Sequence, residues 1–189
     1  MSRVILGVDP GLTRCGVAVI SASANRKVSL LSVDTIRTVP SMELTERLGT
    51  IGDSIEAIIA LHQPEAIAIE RVFAQANLRS VMGVAQISGV VMYLAKKHRI
   101  PVQMHTPSEV KAAVTGSGRA QKAQIGSAVA KILGLTEIPK PADSADALAI
   151  AICNAWRTTS PTSGGAEGKT KAQEAWLAAE RVAKRKPKA

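Results

Sequence analysis

Short apolar runs separated by turn residues open the chain and predict three strands. The runs cover residues 4–9 (VILGVD), 15–21 (CGVAVIS) and 27–36 (KVSLLSVDTI). Each run has the length and the β-branched content of a buried strand. The loops between them are short, which favours antiparallel neighbours. We therefore expect a three-stranded meander in which strands 2 and 3 pair antiparallel with strand 1.

A helical pattern follows the third strand. Apolar residues recur at helical spacing over 44–59, with Ser41 as the predicted N-cap, and Pro64 ends the helix. The run EAIAIE at 65–70 predicts a fourth strand. A second and longer helical pattern covers 75–98.

The second half of the chain predicts one more strand and three helices. PVQMHT at 101–106 is the fifth strand, and Thr-Pro-Ser-Glu at 106–109 is a capping box with proline at the first helical position. The loop 115–120 precedes a helix over 121–134. The last helix, 142–156, is apolar nearly all round after its first turn and is expected to be buried.

This order of elements is an α/β pattern. Strands 1, 4 and 5 are linked through helices, so we expect them to be parallel. The sequence therefore predicts a five-stranded mixed sheet, with three antiparallel strands followed by parallel strands, flanked by helices.

A change of composition near residue 157 divides the chain. Residues 1–157 are expected to form one folded domain, and 158–189 a basic, disordered tail. Residues 157–189 hold eight basic and three acidic residues, and the whole chain has a formal net charge of +9. That charge favours a polyanionic partner, nucleic acid before anionic membrane.

Cysteine usage and hydropathy bear on location. Cys15 and Cys153 lie inside apolar runs and are predicted to be buried free thiols of a reducing compartment. The first apolar run contains Asp9, which argues against a cleavable signal peptide. No run of 18 apolar residues occurs, so we expect no membrane span. A cytoplasmic protein is the prediction.

Four carboxylates suggest chemistry. Asp9 and Glu70 each end a predicted central parallel strand, the edge where ligand sites collect in open α/β sheets. Asp143 and Asp146 are three residues apart in the predicted first turn of a helix and share one face. If the four converge, divalent cations would relieve their repulsion, and oxygen ligands favour Mg²⁺ or Mn²⁺. Two such ions could activate a water molecule for hydrolysis of a phosphodiester and stabilise its leaving oxygen.

Each of these acids also has a local explanation. The alternatives are Asp9 as a turn former before Pro-Gly, Glu70 paired with Arg71 or Arg79 at a surface, Asp143 as an N-cap, and Asp146 as an acid favoured by the helix dipole. Only the joint occurrence of two strand ends and one helix face favours a metal site.

These segments resemble a known family. DPGLTRCGVAVI, AIAIERVF, TGSGRAQKAQI and PADSADALAIAIC occur in the same order as in the RuvC-type Holliday junction resolvases, and the resemblance covers about residues 2 to 157. It implies an RNase H-like fold and a homodimer. It implies a magnesium-dependent endonuclease that resolves four-way DNA junctions by symmetric nicks in recombination and repair. From the oxygen ligands themselves we expect Mn²⁺ to substitute and two ions to bind in each site. The resemblance places the catalytic and metal-binding acids at Asp9, Glu70, Asp143 and Asp146.

Four further residues are predicted to contact DNA. Taken alone, Phe73 favours a core position over a stacking platform, and the resemblance reverses that preference by implying that it inserts at the crossover of the junction. Lys111, Arg119 and Lys122 flank the glycine-containing loop and are predicted to bind phosphates. Lys111 and Lys122 match basic positions of the family, whereas Arg119 rests on its location alone. A solvated helix face is the alternative for each.

The predicted helix 75–98 offers a dimer contact. Gly83 and Gly89 lie among valines and isoleucine, which permits close helix packing, and paired cuts in a junction require two sites related by a twofold axis. The alternative is that the glycines only let this helix approach the sheet. The family also implies branch-migration partners of the RuvA and RuvB type.

Two rival functions stay open at this point. One is an RNase H-like nuclease of ribosomal RNA maturation, and the other is a junction-binding protein without catalysis. The second would leave four acids unexplained, since acids weaken phosphate binding in the absence of a metal.

Overall fold

A five-stranded mixed sheet forms the centre of the protein, and the computed structural model describes residues 2–71 and 78–158 of the chain. The strands are β1 (Ser2–Asp9), β2 (Arg14–Ser23), β3 (Val28–Arg37), β4 (Ala66–Glu70) and β5 (Val102–His105). The helices are α1 (Leu44–His62), α2 (Leu78–Lys97), α3 (Pro107–Thr115), α4 (Lys122–Leu133) and α5 (Ala142–Thr158).

The sheet order is β3-β2-β1-β4-β5. β1 pairs antiparallel with β2 and parallel with β4, and β4 pairs parallel with β5. The predicted mixed sheet is therefore confirmed, with one correction. β3 pairs with β2 and not with β1, because the α1 crossover places β4 on the other edge of β1.

The two faces of the sheet bury separate apolar clusters. Ile5 and Ala68 face the cluster formed with α3, α4 and α5, whereas Leu6 and Ile67 face the cluster formed with α1 and α2. This alternation follows from the two-residue period of a strand. Both faces of β1 and β4 are covered, which explains why their sequences are continuously apolar.

Two glycines let α5 lie directly on β1 and β2. A Cβ added at Gly7 would overlap the carbonyl oxygen of Ala147, and one at Gly16 would overlap that of Asp143. Any side chain at either position would push the helix away from the sheet. The depth at which α5 packs therefore depends on these two residues.

The N-terminal start of α1 differs from the prediction. The helix begins at Leu44 with Glu43 as its N-cap and no side-chain cap, so the assignment of Ser41 as N-cap was wrong. The amide of Met42 donates to the carbonyl of Val39, which places Ser41 inside a turn before the helix.

Two other predicted helix ends are confirmed. Thr106 and Glu109 form the capping box of α3, and Gly134 ends α4 in the left-handed conformation with φ 67°. Both features restrict where each helix can begin or end.

The start of α5 is held by a buried contact. The hydroxyls of Ser144 and Thr35 lie 3.0 Å apart, which ties the first turn of α5 to β3. The helix begins at Ala142, so Asp143 is inside it and is not its N-cap. Only Asp143 lies in the first turn; the prediction that Asp146 also does was wrong by one residue.

Other expectations are confirmed. Cys15 and Cys153 are free and buried, and α5 is buried along most of its length. Among the described residues, no helix combines the length and hydropathy needed to cross a membrane. The predicted tail lies outside the described residues apart from Thr158, and the boundary near residue 157 stays a prediction.

We expect Gly7→Ala to lower the free energy of unfolding by about 1–3 kcal/mol, because the new methyl group overlaps the backbone of α5. Gly49→Ala is the matched control. A Cβ there meets nothing within 4 Å, and alanine in α1 should stabilise the protein by about 0.5–1 kcal/mol. Urea unfolding of the two variants measures the difference; equal effects would contradict the packing argument.

Candidate active site

Three polar side chains end adjacent parallel strands. Val8 of β1 pairs with Ile69 of β4, so Asp9 and Glu70 follow as the next residues on neighbouring strands. Glu70 in turn pairs with His105 of β5. All three continue the face that packs against α5, since Ile5 and Ala68 occupy that face of the same strands. The sheet register alone therefore brings the first two predicted acids together.

The helix α5 adds a third acid to this edge. Asp146 lines a cavity of about 260 Å³ together with Asp9 and Glu70. Lys111 from α3 and Lys122 from the start of α4 line the same cavity. Five of the predicted residues, from five different elements, thus surround one space.

The charge on Asp9 is strongly disfavoured in this setting. Burial, followed by the neighbouring carboxylates of Asp146, Glu70 and Asp143, raises the pKa of Asp9 to about 7. Lys122 opposes the increase but does not cancel it. All three other acids therefore influence the pKa of Asp9, whereas their role as one metal-binding set stays a prediction.

The lysines compensate part of this negative charge. Burial raises the pKa of Glu70, the Asp146 carboxylate adds to the increase, and Lys122 and Lys111 counteract it. Lys122 Nζ lies 3.2 Å from Asp146 Oδ2. That carboxylate is the main reason why the pKa of Lys122 is raised.

Asp143 lies at the margin of this site. It lines a second, larger cavity beside the first, together with Arg14. Arg14 Nε lies 3.1 Å from Asp143 Oδ2. This oxygen is buried, yet it receives no hydrogen bond from any described residue. The contact with Arg14 is therefore an ion pair that leaves the hydrogen-bonding capacity of this oxygen unused.

The donor set fits a hard divalent cation, although the side chains are not arranged around one. Over residues 2–71 and 78–158, no three acidic, histidine or cysteine side chains are close enough together to hold a metal ion. Two of the acids are paired instead with Arg14 and Lys122. The unsatisfied oxygen of Asp143 and the raised pKa of Asp9 are both features that a bound cation would relieve. Oxygen-only ligands suit Mg²⁺ or Mn²⁺.

Three other predictions have different outcomes. Phe73 lies outside the described residues. Arg119 is exposed on the loop after α3 and does not line the carboxylate cavity. Within the described ranges, Glu70 makes no ion pair with Arg71, and the side chain of Arg79, the other partner considered, lies outside what the structure describes.

Sequence reasoning missed two groups near the acids. Asn154 of α5 donates to Gln103 at 2.9 Å and lies 3.3 Å from His105 Nε2, which ties α5 to β5 beside Glu70. Burial lowers the pKa of His105, so a neutral ring is favoured.

Arg14 and Arg47 line the second cavity. Arg14 directly follows the DPGLT segment, which could have indicated it, whereas nothing in the pattern of α1 distinguishes Arg47.

Comparison with known proteins identifies the family of the chain. The family model described as "Crossover junction endodeoxyribonuclease RuvC" matches residues 5–154. The chain belongs to this RuvC family. A RuvC of Leifsonia xyli subsp. xyli is 54% identical over 194 residues, covering 96% of this chain and 93% of that protein. A RuvC of Clavibacter michiganensis subsp. michiganensis is 53% identical over 195 residues, covering 94% and 96%.

A solved structure matches the fold. The structure titled "T. thermophilus RuvC in complex with Holliday junction substrate" superposes with a TM-score of 0.79 at 34% identity. The match covers 83% of this chain and 95% of that one. The RNase H-like fold expected from the RuvC resemblance is thereby confirmed.

We expect Asp9→Asn to stabilise the metal-free protein above neutral pH. The folded state raises the pKa of Asp9 from 3.8 to about 7, so stability is lost as pH rises through this window. In EDTA at pH 8 the variant should gain about 2–4 kcal/mol, and little near pH 4. Mg²⁺ should raise the Tm of the wild-type protein and not that of the variant.

The control is Asp53→Asn, which removes an exposed carboxylate on α1. It should leave both the pH dependence and the effect of Mg²⁺ unchanged. Thermal unfolding across pH, with EDTA or Mg²⁺, distinguishes the two variants. An Asp9→Asn protein that is as pH-sensitive as the wild type would refute the electrostatic assignment.

Proposed function

We propose that this protein is a metal-dependent endonuclease that resolves four-way DNA junctions by paired, symmetric nicks during homologous recombination and repair. The observation that carries the proposal is the cavity in which Asp9, Glu70 and Asp146 meet Lys111 and Lys122, in a chain of the RuvC family. Carboxylates for cations beside lysines for phosphates are the parts that phosphodiester hydrolysis needs.

The proposed metal ligands are Asp9, Glu70, Asp143 and Asp146. These residues would hold two Mg²⁺ ions, or Mn²⁺ in their place, which would supply an activated water and stabilisation of the leaving oxygen. The chain itself positions the ligands: the register of β1 and β4 aligns two of them, and the close packing at Gly7 and Gly16 brings α5 near enough to add the others.

The lysines bind and orient the scissile strand. Lys111 of α3 and Lys122 of α4 are the cationic side chains that line the cavity. Lys122 neutralises Asp146 in this structure, and its flexible stem lets the ammonium group turn from that carboxylate towards a phosphate oxygen. Arg119 remains a proposed phosphate contact from the exposed loop, and Phe73 a proposed contact at the crossover.

The family match favours junction DNA over the ribosomal RNA alternative, and the buried carboxylate site argues against a protein that only binds. Because the RuvC relatives are bacterial, we propose a cytoplasmic protein that works with branch-migration partners of the RuvA and RuvB type. Residues 1–157 are the proposed nuclease domain, and the basic tail is a proposed source of nonspecific DNA affinity.

We expect a mobile four-way junction to be nicked symmetrically on opposing strands in Mg²⁺, whereas linear duplex and structured RNA of equal length stay intact. Asp9→Asn should reduce cleavage at least about a hundred-fold, since a metal site contributes several kcal/mol to the transition state. Junction binding should be retained. Gel mapping of the nicks and a binding titration measure both. Cleavage of structured RNA alone would favour the ribosomal RNA alternative, and undiminished cleavage by the variant would refute the role of Asp9.

The proposed dimer contact is the exposed face of α2. Gly83 lies against Leu12 of its own chain, since an added Cβ would come within 3.1 Å of the Leu12 Cβ, whereas a Cβ at Gly89 meets nothing within 4 Å. Met92 and Tyr93 are exposed near Gly89, Tyr93 to 68%. One glycine therefore serves packing within the chain, and the other supports the proposal of a second copy docking through this helix.

We expect Tyr93→Glu to convert the protein to a monomer, because a carboxylate would be buried without a partner in a twofold interface. Leu61→Glu is the control, since Leu61 is as exposed an apolar residue, at 77%, on α1. Sedimentation at micromolar concentration measures the oligomeric state. A wild-type protein that sediments as a monomer would refute this interface.

A further inference from the structure

The larger cavity beside the carboxylate site carries two arginines without a role in the chemistry above. It has a volume of about 410 Å³. Residues of the loop after β1, of the start of β2, and of α1, α2 and α5 line it, among them Arg14 of β2, Arg47 of α1 and Asp143 of α5. Two of these side chains are cationic and one is anionic. The lining therefore has a net positive charge, unlike the acidic cavity beside it.

Arg47 is fixed in this cavity by neutral partners. Its Nε donates to the hydroxyl of Thr38 at 2.9 Å, and one terminal nitrogen donates to the hydroxyl of Thr13 at 2.9 Å. A guanidinium has five N–H donors, so these two bonds leave three without a partner in the described part of the chain. No carboxylate among the described residues pairs with Arg47. Its charge is thus oriented but not neutralised.

The residues that hold Arg47 are themselves tied together. The Thr38 hydroxyl donates to the carbonyl of Leu12 at 2.5 Å, and the Thr38 amide donates to the carbonyl of Thr13 at 3.1 Å. The loop after β1, the end of β3 and the start of α1 therefore form one hydrogen-bonded unit. Arg47 is half-buried within it, so little side-chain entropy remains to be lost when it binds a ligand.

The neighbouring charges indicate what the ligand is. Asp143 lines this cavity, and Asp146, one helical turn or about 5–6 Å further along α5, lines the catalytic cavity. An anion at Arg47 would therefore lie next to the position of the scissile phosphate. Arg14 already neutralises Asp143 at 3.1 Å, which reduces the repulsion that an incoming anion would meet.

We propose that Arg47 binds a backbone phosphate of the cleaved DNA strand next to the scissile phosphate, with Arg14 as the second cationic wall of this subsite. The inference rests on the proposed junction nuclease activity and adds a contact that fixes the strand's register in the catalytic cavity. A planar guanidinium presents paired N–H donors that match two oxygens of a phosphate. The contact positions the strand and does not read its sequence.

The test compares Arg47→Gln with Lys27→Gln, which removes an exposed charge from the turn before β3. That turn lies at the opposite end of β1 from Asp9, because Ser23 pairs with Ser2. A labelled four-way junction is titrated in EDTA over a range of salt concentrations. Arg47→Gln should weaken binding several-fold and reduce the salt slope by about 0.9 for each phosphate that the variant no longer binds. Lys27→Gln should change neither quantity. Equal slopes for the two variants would overturn the inference.

A second measurement keeps the test decisive if Arg47→Gln is poorly folded. Single methylphosphonate linkages, which remove one phosphate charge each, are placed on either side of the cut site. At one linkage next to the cut site, the substitution should weaken junction binding by the wild-type protein. Arg47→Lys keeps the charge but not the paired donors, so the same substitution should weaken binding by this variant less. An identical effect on both proteins at every linkage would overturn the inference.

Failure of the inference and failure of the proposed function give different results. A wild-type protein that nicks the junction, with Arg47→Gln indistinguishable from Lys27→Gln, refutes only the phosphate subsite. A wild-type protein that binds the junction no better than linear duplex refutes the proposed function itself. Inorganic phosphate could also raise the Tm of the wild-type protein while Arg47→Gln and Lys27→Gln show equal salt slopes on DNA. That result would overturn the assignment to the DNA backbone.

Discussion

The electrostatic cost of gathering four carboxylates at one edge of a sheet governs this structure. Asp9 ends a strand whose neighbours on both faces are aliphatic, and its charge is opposed first by burial and then by the other three acids. Burying a charge is costly unless it is paired. The surrounding basic side chains, Lys122 and Arg14, each neutralise one acid of α5 and thereby make the arrangement tolerable.

That arrangement depends on the close approach of α5 to the sheet. The carbonyl oxygens of Ala147 and Asp143 occupy the space that side chains at Gly7 and Gly16 would need. The buried Ser144–Thr35 contact and the Asn154–Gln103 bond hold the same helix at two further points. Backbone packing and buried polar contacts therefore set the positions of acids that are more than 130 residues apart in the chain.

The site is divided into two cavities of opposite character. In one, three acids and two lysines surround the space proposed for the metals and the scissile phosphate. In the other, Arg47 is oriented by two threonine hydroxyls and lacks a carboxylate partner within the described ranges. Asp143 stands between them, paired with Arg14. A nuclease acting on a continuous strand needs both parts, one for hydrolysis and one that keeps the strand in register.

The sequence by itself determined the elements and the chemistry of the acids. Apolar runs and breaker residues predicted all five strands. The signal was plainest for β1 and β4, because burial on both faces requires uninterrupted aliphatic residues. The capping box at Thr106 and the stop at Gly134 were readable because caps depend on local hydrogen bonds. Local chemistry did not determine the start of α1, where a turn displaced the cap expected at Ser41.

Tertiary structure alone decided what depends on contacts between distant segments. The edge of β1 taken by β4 excluded β3 from pairing there. Asp143 lines a different cavity from the other acids. Thr38 and Thr13, from two distant segments, orient Arg47. Periodicity and motifs do not predict such contacts. The pattern of residues along the chain indicates secondary structure and burial, whereas the tertiary partners of a residue depend on how the elements pack.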